Sequence, residues 1–527
     1  MKNDIHHIPT PLIDQVFIDE HIVHINENQI RSPLMKTYIG KLLDDNASLS
    51  LNKISYEEIQ QKHKDAKKSN YDSTKIADMQ KIAKTLFSAA SNQHATDIHI
   101  DVTASHTVVS MRIRRRISIV RDWEMTSSKG TALISAIYRL AQEGEADTDI
   151  NIRANQDGRI SNSDFLPPTV TSLRLARGPQ DGGHFMVIRL LNDDVTMGGQ
   201  SMPVRLHYLG YHESHVCGFE YTRMQPSGMV LIGGTTGSGK STTLKHLLES
   251  LHQDKPHLCI MSVEEPAEYV INGVRQISVS GNENESERRK AFSDSIRLAL
   301  RSDPDVILIG EIRDTESAHL AMRAAMTGHL VYATIHANNA FNVLTRIIDQ
   351  LTTIETPRPE KIIADPSLLL GVAYQRLIET LCHHCKKGFK EFKNTLPRDL
   401  VERVETVTTT YDMDISIVGD GCDKCNMTGI GGVTVLSEFV LTDPELLNIV
   451  RIEGVPEARD HWIKRKSEEI NEIRTIREHA IMKMKEGLID PRHTENAVGY
   501  LTYDNNVFNA SIKDVKDAVQ MINKSAV

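Results

Sequence analysis

The middle of the chain alternates short apolar runs with stretches of helical periodicity. The apolar runs are residues 229–232, 257–263 and 306–309, with a fourth inside residues 327–340. Runs of this length are typical of strands buried on both faces of a sheet. Apolar side chains recur at helical spacing over residues 244–251, 291–301 and 318–326. This alternation predicts an α/β domain built on a parallel sheet.

A different pattern precedes this domain. Apolar and polar residues alternate over residues 97–101, 108–116, 171–177 and 184–191, with helical repeats at 76–86 and 129–142. The combination predicts a compact α+β domain that ends near residue 200, where residues 198–203 form a flexible link. Residues 1–72 carry only weak patterns, and we interpret them as a small docking module followed by a charged linker.

Composition limits the classes of protein that this chain can belong to. Its 527 residues exceed what one hydrophobic core organises, so several domains are expected. A formal net charge of -9 disfavours a broad nucleic-acid surface, although a local basic patch remains possible. No apolar run is long enough to span a membrane, and the first residues lack the apolar core of a secretory signal. We therefore expect a cytoplasmic protein.

The apolar run 229–232 leads into a glycine-rich loop with the spacing Gly234-x-x-x-x-Gly239-Lys240-Ser241. Strand, glycine loop and helix form the context in which this pattern binds phosphate, because backbone N–H groups and the helix N-terminus surround the anion. Lys240 is expected to reach the β- and γ-phosphates of ATP, and Ser241 to ligate Mg²⁺. A glycine turn that binds nothing is the alternative, which this context disfavours. The predicted nucleotide-binding residues are Gly234, Thr235, Thr236, Gly237, Ser238, Gly239, Lys240, Ser241 and Thr242.

Ionisable side chains follow the other apolar runs at the point where each strand is predicted to end. Glu264 and Glu268 follow one strand, Glu311 follows the next, and His336 follows the fourth. In an open α/β sheet, ligands bind at the carboxyl ends of the strands. Glu311 is therefore a candidate to orient Mg²⁺ or the attacking water. For His336, a satisfied surface or core histidine remains an equal alternative from position alone.

Four of the six cysteines form two C-x-x-C pairs, Cys382 with Cys385 and Cys422 with Cys425. Four thiolates in two tight turns are typical of a closed, tetrahedral structural Zn²⁺ site, with unligated cysteines as the alternative. The region beyond is polar, with an apolar helical stripe after residue 473, which predicts a C-terminal helical subdomain.

From about residue 96 to residue 501, the chain resembles the secretion ATPase superfamily, in particular the motors of type IV pilus assembly and type II secretion. Several motifs in the family's order carry this resemblance. They are residues 95–100, the phosphate loop 234–241, an acidic box 263–269, an atypical second nucleotide motif 303–314, a histidine box 327–340, and residues 375–377 and 421–429. The acidic box departs from the family at Glu265, where Asp is usual.

The resemblance implies a fold and a mode of action. It implies a RecA-like P-loop ATPase core, preceded by a PAS-like α+β domain and followed by a zinc-binding insertion and a helical subdomain. The implied protein is a homohexameric motor that uses ATP and Mg²⁺. It would work at the cytoplasmic face of an inner membrane through an integral platform protein, without direct contact to nucleic acid. Because retraction motors of the family generally lack the tetracysteine site, pilus extension is favoured.

The resemblance also implies roles for individual residues. Glu311 would organise metal and water, Glu264 and Glu268 would position water, and His336, with His329 behind it, would sense the γ-phosphate. Arg174 and Arg189 match arginines that reach the site from the second N-terminal domain. From spacing alone, a solvated surface pair is the commoner outcome for two such arginines.

The predicted domains are residues 1–72, 73–200, 201–376, 377–440 and 441–527. Two alternative functions remain open at this point. One is a motor of the same superfamily for DNA uptake or conjugative transfer. The other is a nucleotide-binding scaffold without turnover, although the intact Lys240, Ser241 and Glu311 weigh against it.

Overall fold

A computed structural model describes most of the chain and divides it into two compact units. The described residues are 12, 14–19, 22–45, 50–60, 62, 73–114, 116–141, 154–161, 164–192, 199–279, 284–353, 356–408, 414–465 and 473–502. One unit is drawn from residues 1–86 and 128–139, and the other from residues 87–127 and 140–527. Much of the predicted docking module and linker, part of the predicted link at 198–203, and residues 503–527 lie outside the described residues.

The first described elements form a small three-stranded sheet. Its elements are β1 (Val16–Asp19), β2 (Ile22–Asn26), α1 (Pro33–Asp45) and β3 (Ser50–Ile54), followed by α2 (Ser73–Asn92). Strand β2 pairs antiparallel with β1 and parallel with β3. Apolar side chains from β1, β2 and α1, among them Val16, Val23 and Met35, form a core of their own.

A six-stranded antiparallel sheet follows. Its elements are β4 (Ala95–Thr103), β5 (Thr107–Ile113), β6 (Arg116–Ile119), α3 (Ser127–Leu140), β7 (Gln156–Ile160), β8 (Val170–Gln180) and β9 (Gly183–Asn192). The strand order is β6-β5-β4-β9-β8-β7. The single strand predicted for residues 108–116 is wrong, because the chain turns at Arg114, which adopts a positive φ of 50°, and returns as β6.

The nucleotide domain contains the predicted alternation of strands and helices. Its elements are α4 (Met202–Leu209), α5 (Glu213–Arg223), β10 (Gly228–Gly233), α6 (Lys240–Asp254), β11 (Ile260–Glu264), β12 (Val274–Ser278), α7 (Glu285–Leu300), β13 (Val306–Ile309), α8 (Thr315–Met326), β14 (Leu330–Ile335), α9 (Ala340–Leu351), α10 (Glu360–Ile363) and β15 (Leu369–Leu381). The strand predicted from residue 257 begins only at Ile260.

The third region inserts short elements between two long strands. They are β16 (Lys387–Gly388), α11 (Phe389–Phe392), α12 (Arg398–Val407) and β17 (Ser416–Ile417). The second long strand, β18 (Ile430–Leu441), comes next and is followed by α13 (Pro444–Ile452), α14 (Val455–Lys464), α15 (Ile476–Lys485) and α16 (Pro491–Val498). Strand β18 pairs antiparallel with β15 along nearly its whole length. The boundary predicted at residue 377 therefore falls inside β15, and the insertion proper begins after Leu381.

The large sheet has the order β12-β11-β13-β14-β10-β15-β18, and only β18 runs antiparallel to its neighbour. Strand β10 lies between β14 and β15, both parallel to it. Its side chains alternate between two cores: Met229 and Leu231 pack in one cluster, Val230 and Ile232 in the other. Burial on both faces explains why this strand is a continuous apolar run. The predicted RecA-like α/β core is confirmed.

The C-terminal helices attach to this core through buried polar contacts. Lys483, on α15, donates from Nζ to the carbonyl oxygen of Gly210 at 2.6 Å and to Oγ1 of Thr434 at 2.8 Å. Its side chain is buried, and this burial lowers the pKa of Lys483 to about 8. Glu486 acts in the opposite direction but does not offset the burial.

This depressed pKa of Lys483 predicts a pH dependence of stability. Between about pH 8 and the ordinary lysine value of 10.5, the unfolded chain holds a proton that the folded protein has released. The free energy of unfolding should therefore rise with pH across that window. Lys483→Met keeps the apolar stem and removes the titration. Urea denaturation of both proteins across the window should show a steeper rise for the parent, and equal slopes would contradict the expectation.

Candidate functional site

The glycine loop joins β10 to α6 at the carboxyl edge of the large sheet. Gly237 and Gly239 adopt positive φ values of 72° and 85°, which favour glycine. Lys240, the first residue of α6, donates from Nζ to the carbonyl oxygens of Gly234 at 3.0 Å and Thr235 at 3.3 Å. The side chain of Lys240 therefore folds back onto the glycine loop. Its ammonium group lies above the space that the loop encloses.

Two observations show that this loop suits a phosphate group. The hydroxyl of Ser238 is buried and has no hydrogen-bond partner among the described residues, so it is free to meet a ligand oxygen. Burial lowers the pKa of Lys240, while the nearby carboxylates of Glu311 and Glu268 act to raise it. The same lysine is therefore within electrostatic reach of two predicted catalytic carboxylates.

Ser241 and Thr242, the other predicted ligands of nucleotide and Mg²⁺, lie half-buried in the first turn of α6. The hydroxyl of Thr242 is 3.4 Å from the phenol oxygen of Tyr269, which belongs to the acidic box. A hydroxyl next to the loop lysine, with Glu311 and Glu268 around that lysine, offers the oxygen donors that Mg²⁺ prefers.

Glu264 is the last residue of β11 and is buried at the edge of the sheet. Its Oε1 accepts hydrogen bonds from Oγ of Ser262 at 2.7 Å and from Nε2 of Gln276 at 2.9 Å. These two donors hold the carboxylate in one orientation. The structure thus gives Glu264 the fixed position that a residue aligning water or metal requires.

Glu311 and His336 meet at the same edge. Nε2 of His336 lies 2.9 Å from Oε1 of Glu311, and Nε of Arg313 donates to its Oε2 at 2.7 Å. His336 is half-exposed, and Glu311 is largely buried. The carboxylate therefore has a cation on one side and a histidine on the other, which keeps it aligned.

Arg313 is a residue of the site that sequence reasoning missed. Besides Glu311, it contacts Glu265, with Nη1 3.1 Å from Oε2, and Arg288 contacts the same carboxylate at 3.1 Å. Glu265, which stands where the family usually has Asp, is thus held between two arginines. Arg313 belongs to the same nucleotide motif as Glu311, and a basic residue two positions after that carboxylate is the signal that could have identified it.

Glu438 is a second residue that the sequence did not single out. Its buried carboxylate accepts from the backbone N–H of Ala340 at 2.6 Å and of Ile476 at 3.2 Å, the first residues of α9 and α15. Burial raises the pKa of Glu438, while these two donors act to lower it. Helix N-termini attract negative charge. Glu438 therefore anchors the start of α9, a few residues after His336.

His329 does not join His336. The two histidines flank β14, so six strand residues separate them. His329 precedes Leu330, which pairs with Gly228 at the start of β10, whereas the phosphate loop follows the end of β10. Its Nδ1 lies 2.9 Å from the carbonyl oxygen of Ala324 and 3.1 Å from Oγ1 of Thr327. The geometry therefore corrects the prediction for His329, which contacts the end of α8 at the opposite edge of the sheet.

Arg174 and Arg189 lie opposite one another on the paired strands β8 and β9. Both side chains are exposed on one face, as their alternation predicts. Arg189 pairs with Asp97 of β4, with Nε 3.0 Å from Oδ1. Arg112 approaches the other oxygen of the same carboxylate at 3.6 Å. The structure brings the two arginines together, and their action on a nucleotide stays a prediction.

The four cysteines converge where the insertion meets the long strands. Cys382 and Cys385 follow β15, and Cys422 and Cys425 precede β18. All four Sγ atoms lie within 4.8 Å of one another. Neighbouring sulfurs are 3.7–3.8 Å apart. A tetrahedral Zn²⁺ with Zn–S bonds of about 2.3 Å would hold its sulfurs about 3.8 Å apart, so the donor set fits this ion.

Backbone donors surround these sulfurs. The N–H groups of Cys422 and Gly429 point at Sγ of Cys425, at 3.1 and 3.2 Å. Burial alone would raise the pKa of Cys425, but these donors act to lower it, which favours the thiolate that binds metal. Gly419 permits the close approach, because a Cβ there would lie 1.7 Å from the carbonyl oxygen of Cys385.

The chain is similar to known secretion ATPases over most of its length. Residues 72–497 match the family model described as Type II/IV secretion system protein. The chain is 32% identical over 410 residues to the type II secretion system ATPase E of Vibrio cholerae, which covers 77% of this chain and 73% of that protein. It is 31% identical over 411 residues to the type IV pilus assembly ATPase PilB of Thermus thermophilus, covering 78% of this chain and 42% of that protein.

Solved structures agree on the fold. The pilus retraction motor PilT with bound ADP superposes with a TM-score of 0.52 at 22% identity, covering 80% of this chain and 97% of PilT. The ATPase DotB of Legionella pneumophila superposes with a TM-score of 0.53 at 19% identity, covering 78% of this chain and 93% of DotB. No helix in the described part of the chain is long and apolar enough to cross a membrane.

The sulfur geometry predicts one Zn²⁺ per chain. Elemental analysis of protein purified without chelator should find this stoichiometry. Cys422→Ser should lose the metal and unfold the insertion at lower temperature, because the binding free energy of a structural metal contributes to folding. Cys217→Ser, which changes an exposed cysteine outside the cluster, is the matched control and should keep the metal. Metal-free parent protein would contradict the assignment.

Proposed function

The chain belongs to the Type II/IV secretion system protein family, and we propose that it is an ATP-hydrolysing motor of the assembly or secretion type. In this proposal it powers type IV pilus assembly, in the direction of extension, or a type II-like secretion process. Relatives named as a type II secretion ATPase and as a type IV pilus assembly ATPase support both forms of the proposal.

One observation carries the ATPase assignment. Lys240 sits at the start of α6, above the glycine loop, and the carboxylates of Glu311 and Glu268 act on its charge. A cation for the phosphates and carboxylates for metal and water thus share one edge of the sheet. A nucleotide-binding scaffold would need only the first of these.

We assign the residues as follows. Lys240 and the loop N–H groups would hold the β- and γ-phosphates, and Ser241 and Glu311 would hold Mg²⁺, which neutralises charge on the phosphates when bound. Glu264 and Glu268 would position the attacking water. His336, through its contact with Glu311, would respond to the γ-phosphate.

The proposed assembly is a homohexamer at the cytoplasmic face of an inner membrane. It would associate with the membrane peripherally, by binding an integral platform protein of the pilus or secretion machinery. ATP hydrolysis would then move that platform protein. The tetracysteine cluster supports an assembly or secretion role over retraction, because the resemblance associates that cluster with the former. A DNA-uptake or conjugative motor is the alternative, to which the net charge of -9 lends no support.

Glu311→Gln should separate binding from chemistry. The amide keeps the size of the side chain but loses the charge that organises metal and water. Steady-state hydrolysis should therefore slow by roughly a hundredfold or more, while the Kd for ATP stays close to the parent value. Glu316→Gln removes a nearby exposed carboxylate and serves as control, with turnover near that of the parent. Equal loss of binding and turnover in Glu311→Gln would make Glu311 a structural residue.

The Arg189→Ala variant tests whether the second N-terminal domain contributes an arginine to the nucleotide site. Loss of an arginine finger lowers turnover by about a thousandfold, with nucleotide binding and assembly retained. If the finger serves a neighbouring chain, mixing Arg189→Ala chains with Lys240→Ala chains should restore part of the activity. If it serves its own chain, mixing should restore none. Parental turnover in Arg189→Ala would reject both versions.

A further inference from the structure

Gln375 lies beneath the phosphate loop, and the mechanism above leaves it without a role. It follows Tyr374, which pairs with Gly233 at the end of β10, and its side chain is fully buried. Nε2 donates to the carbonyl oxygen of Ser238 at 2.8 Å, and Oε1 accepts from the hydroxyl of Tyr211 at 2.7 Å. The buried amide thus uses both of its polar ends to join the loop to a distant segment.

The carbonyl of Ser238 can only accept, so it requires the NH₂ group of Gln375 on its side, and Tyr211 holds the other end of the amide. Its hydroxyl has one proton, which it donates to Oε1 of Gln375. The hydroxyl of Thr243, 3.0 Å away on α6, must then donate to the phenol oxygen. Burial raises the pKa of Tyr211, although the contact with Thr243 acts in the opposite direction, so the phenol stays protonated. With Oε1 held in this way, the NH₂ group of Gln375 faces the loop.

This contact sets the direction of one peptide group in the loop. The carbonyl of Ser238 and the N–H of Gly239 belong to the same planar trans peptide, so they point in opposite directions. Because the carbonyl is held towards Gln375 in the core, the N–H points away from β15, towards the space where phosphate is expected to bind. A Cβ at Gly234 would lie 2.7 Å from the backbone oxygen of Gln375, so the loop sits directly on β15.

We propose that Gln375 is a positioning residue of the nucleotide site, which orients the Gly239 N–H towards the bound phosphate and is itself held by Tyr211. The inference rests on the proposed function of the loop as an ATP site. Gln375 touches no substrate atom in this scheme and acts only through the loop peptide. Its loss should therefore affect nucleotide affinity more than it affects the stability of the fold.

The first test is the affinity of the full-length chain for ADP with Mg²⁺, measured by calorimetry. Gln375→Leu keeps the approximate volume and removes both hydrogen bonds, so the Kd should rise by about ten- to a hundredfold, as for a misoriented hydrogen bond to a charged group. Ser437→Ala is the matched control, because it removes a buried 2.9 Å hydrogen bond to the oxygen of Tyr374 on the same strand pair. Unchanged affinity in Gln375→Leu, or an equal loss in both variants, would overturn the proposal.

A pH profile of Gln375→Glu separates positioning from general damage. A carboxylate cannot donate to the carbonyl of Ser238, whereas a carboxylic acid can. Because burial raises the pKa of a carboxyl group, this variant should bind ADP weakly at alkaline pH and regain affinity as the pH falls. Gln375→Leu should stay weak throughout. Parallel profiles of the two variants, each compared with the parent, would overturn the proposal.

The controls distinguish this inference from the proposed function. If parent protein and Lys240→Ala both fail to bind ADP, the proposed function fails, and the inference with it. If the parent binds, Lys240→Ala does not, and Gln375→Leu binds normally, only the inference fails. Should Gln375→Leu not fold, Tyr211→Phe replaces it, since the variant removes the hydrogen bond that holds Oε1 of Gln375. Its Kd should rise by several-fold relative to the parent, and an unchanged Kd would overturn the proposal.

Discussion

The parallel register of β10 with β14 and β15 is the constraint on which the rest of the site depends. Gly233 pairs with Ile335 on one side and with Tyr374 on the other, so the next residues in each segment lie side by side just beyond the end of β10. Those residues are Gly234, His336 and Gln375. A slip of one residue would exchange the two apolar cores that cover β10, so the register is tightly specified. Hydrophobic burial thus places the polar groups of the site.

Buried polar side chains connect segments that are far apart in the sequence. Glu438 joins the N-termini of α9 and α15, and Lys483 joins α15 to the backbone at Gly210. An unpaired group in either position would cost free energy, so each segment stabilises the other. Gly210 directly precedes Tyr211, whose phenol contacts Gln375. The C-terminal helices and the phosphate loop therefore share a short connection through residues 210–211.

Strand β15 carries two different kinds of site. Gln375 lies near its middle, and Cys382 follows its last residue, about 23 Å further along at the usual rise per residue. Strand β18 returns beside it, from the second cysteine pair to Glu438. Apolar side chains of the insertion, among them Phe389, Leu400 and Ile417, pack in one core with Ala480 and Met484 of α15. The sulfur cluster closes this insertion at its base, where backbone N–H groups and close-packed glycines leave little freedom.

The sequence by itself determined the local features: the strand, glycine loop and helix around Lys240, the acidic strand ends, the two cysteine pairs and the matched faces of Arg174 and Arg189. Each depends on neighbouring residues, so periodicity and spacing suffice to predict it. Only the tertiary structure decided that His329 and His336 lie at opposite edges of the sheet, that Arg313 bridges Glu265 and Glu311, and that Gln375 supports the loop. Those relations depend on strand register and on contacts between segments up to 164 residues apart, which no local pattern encodes.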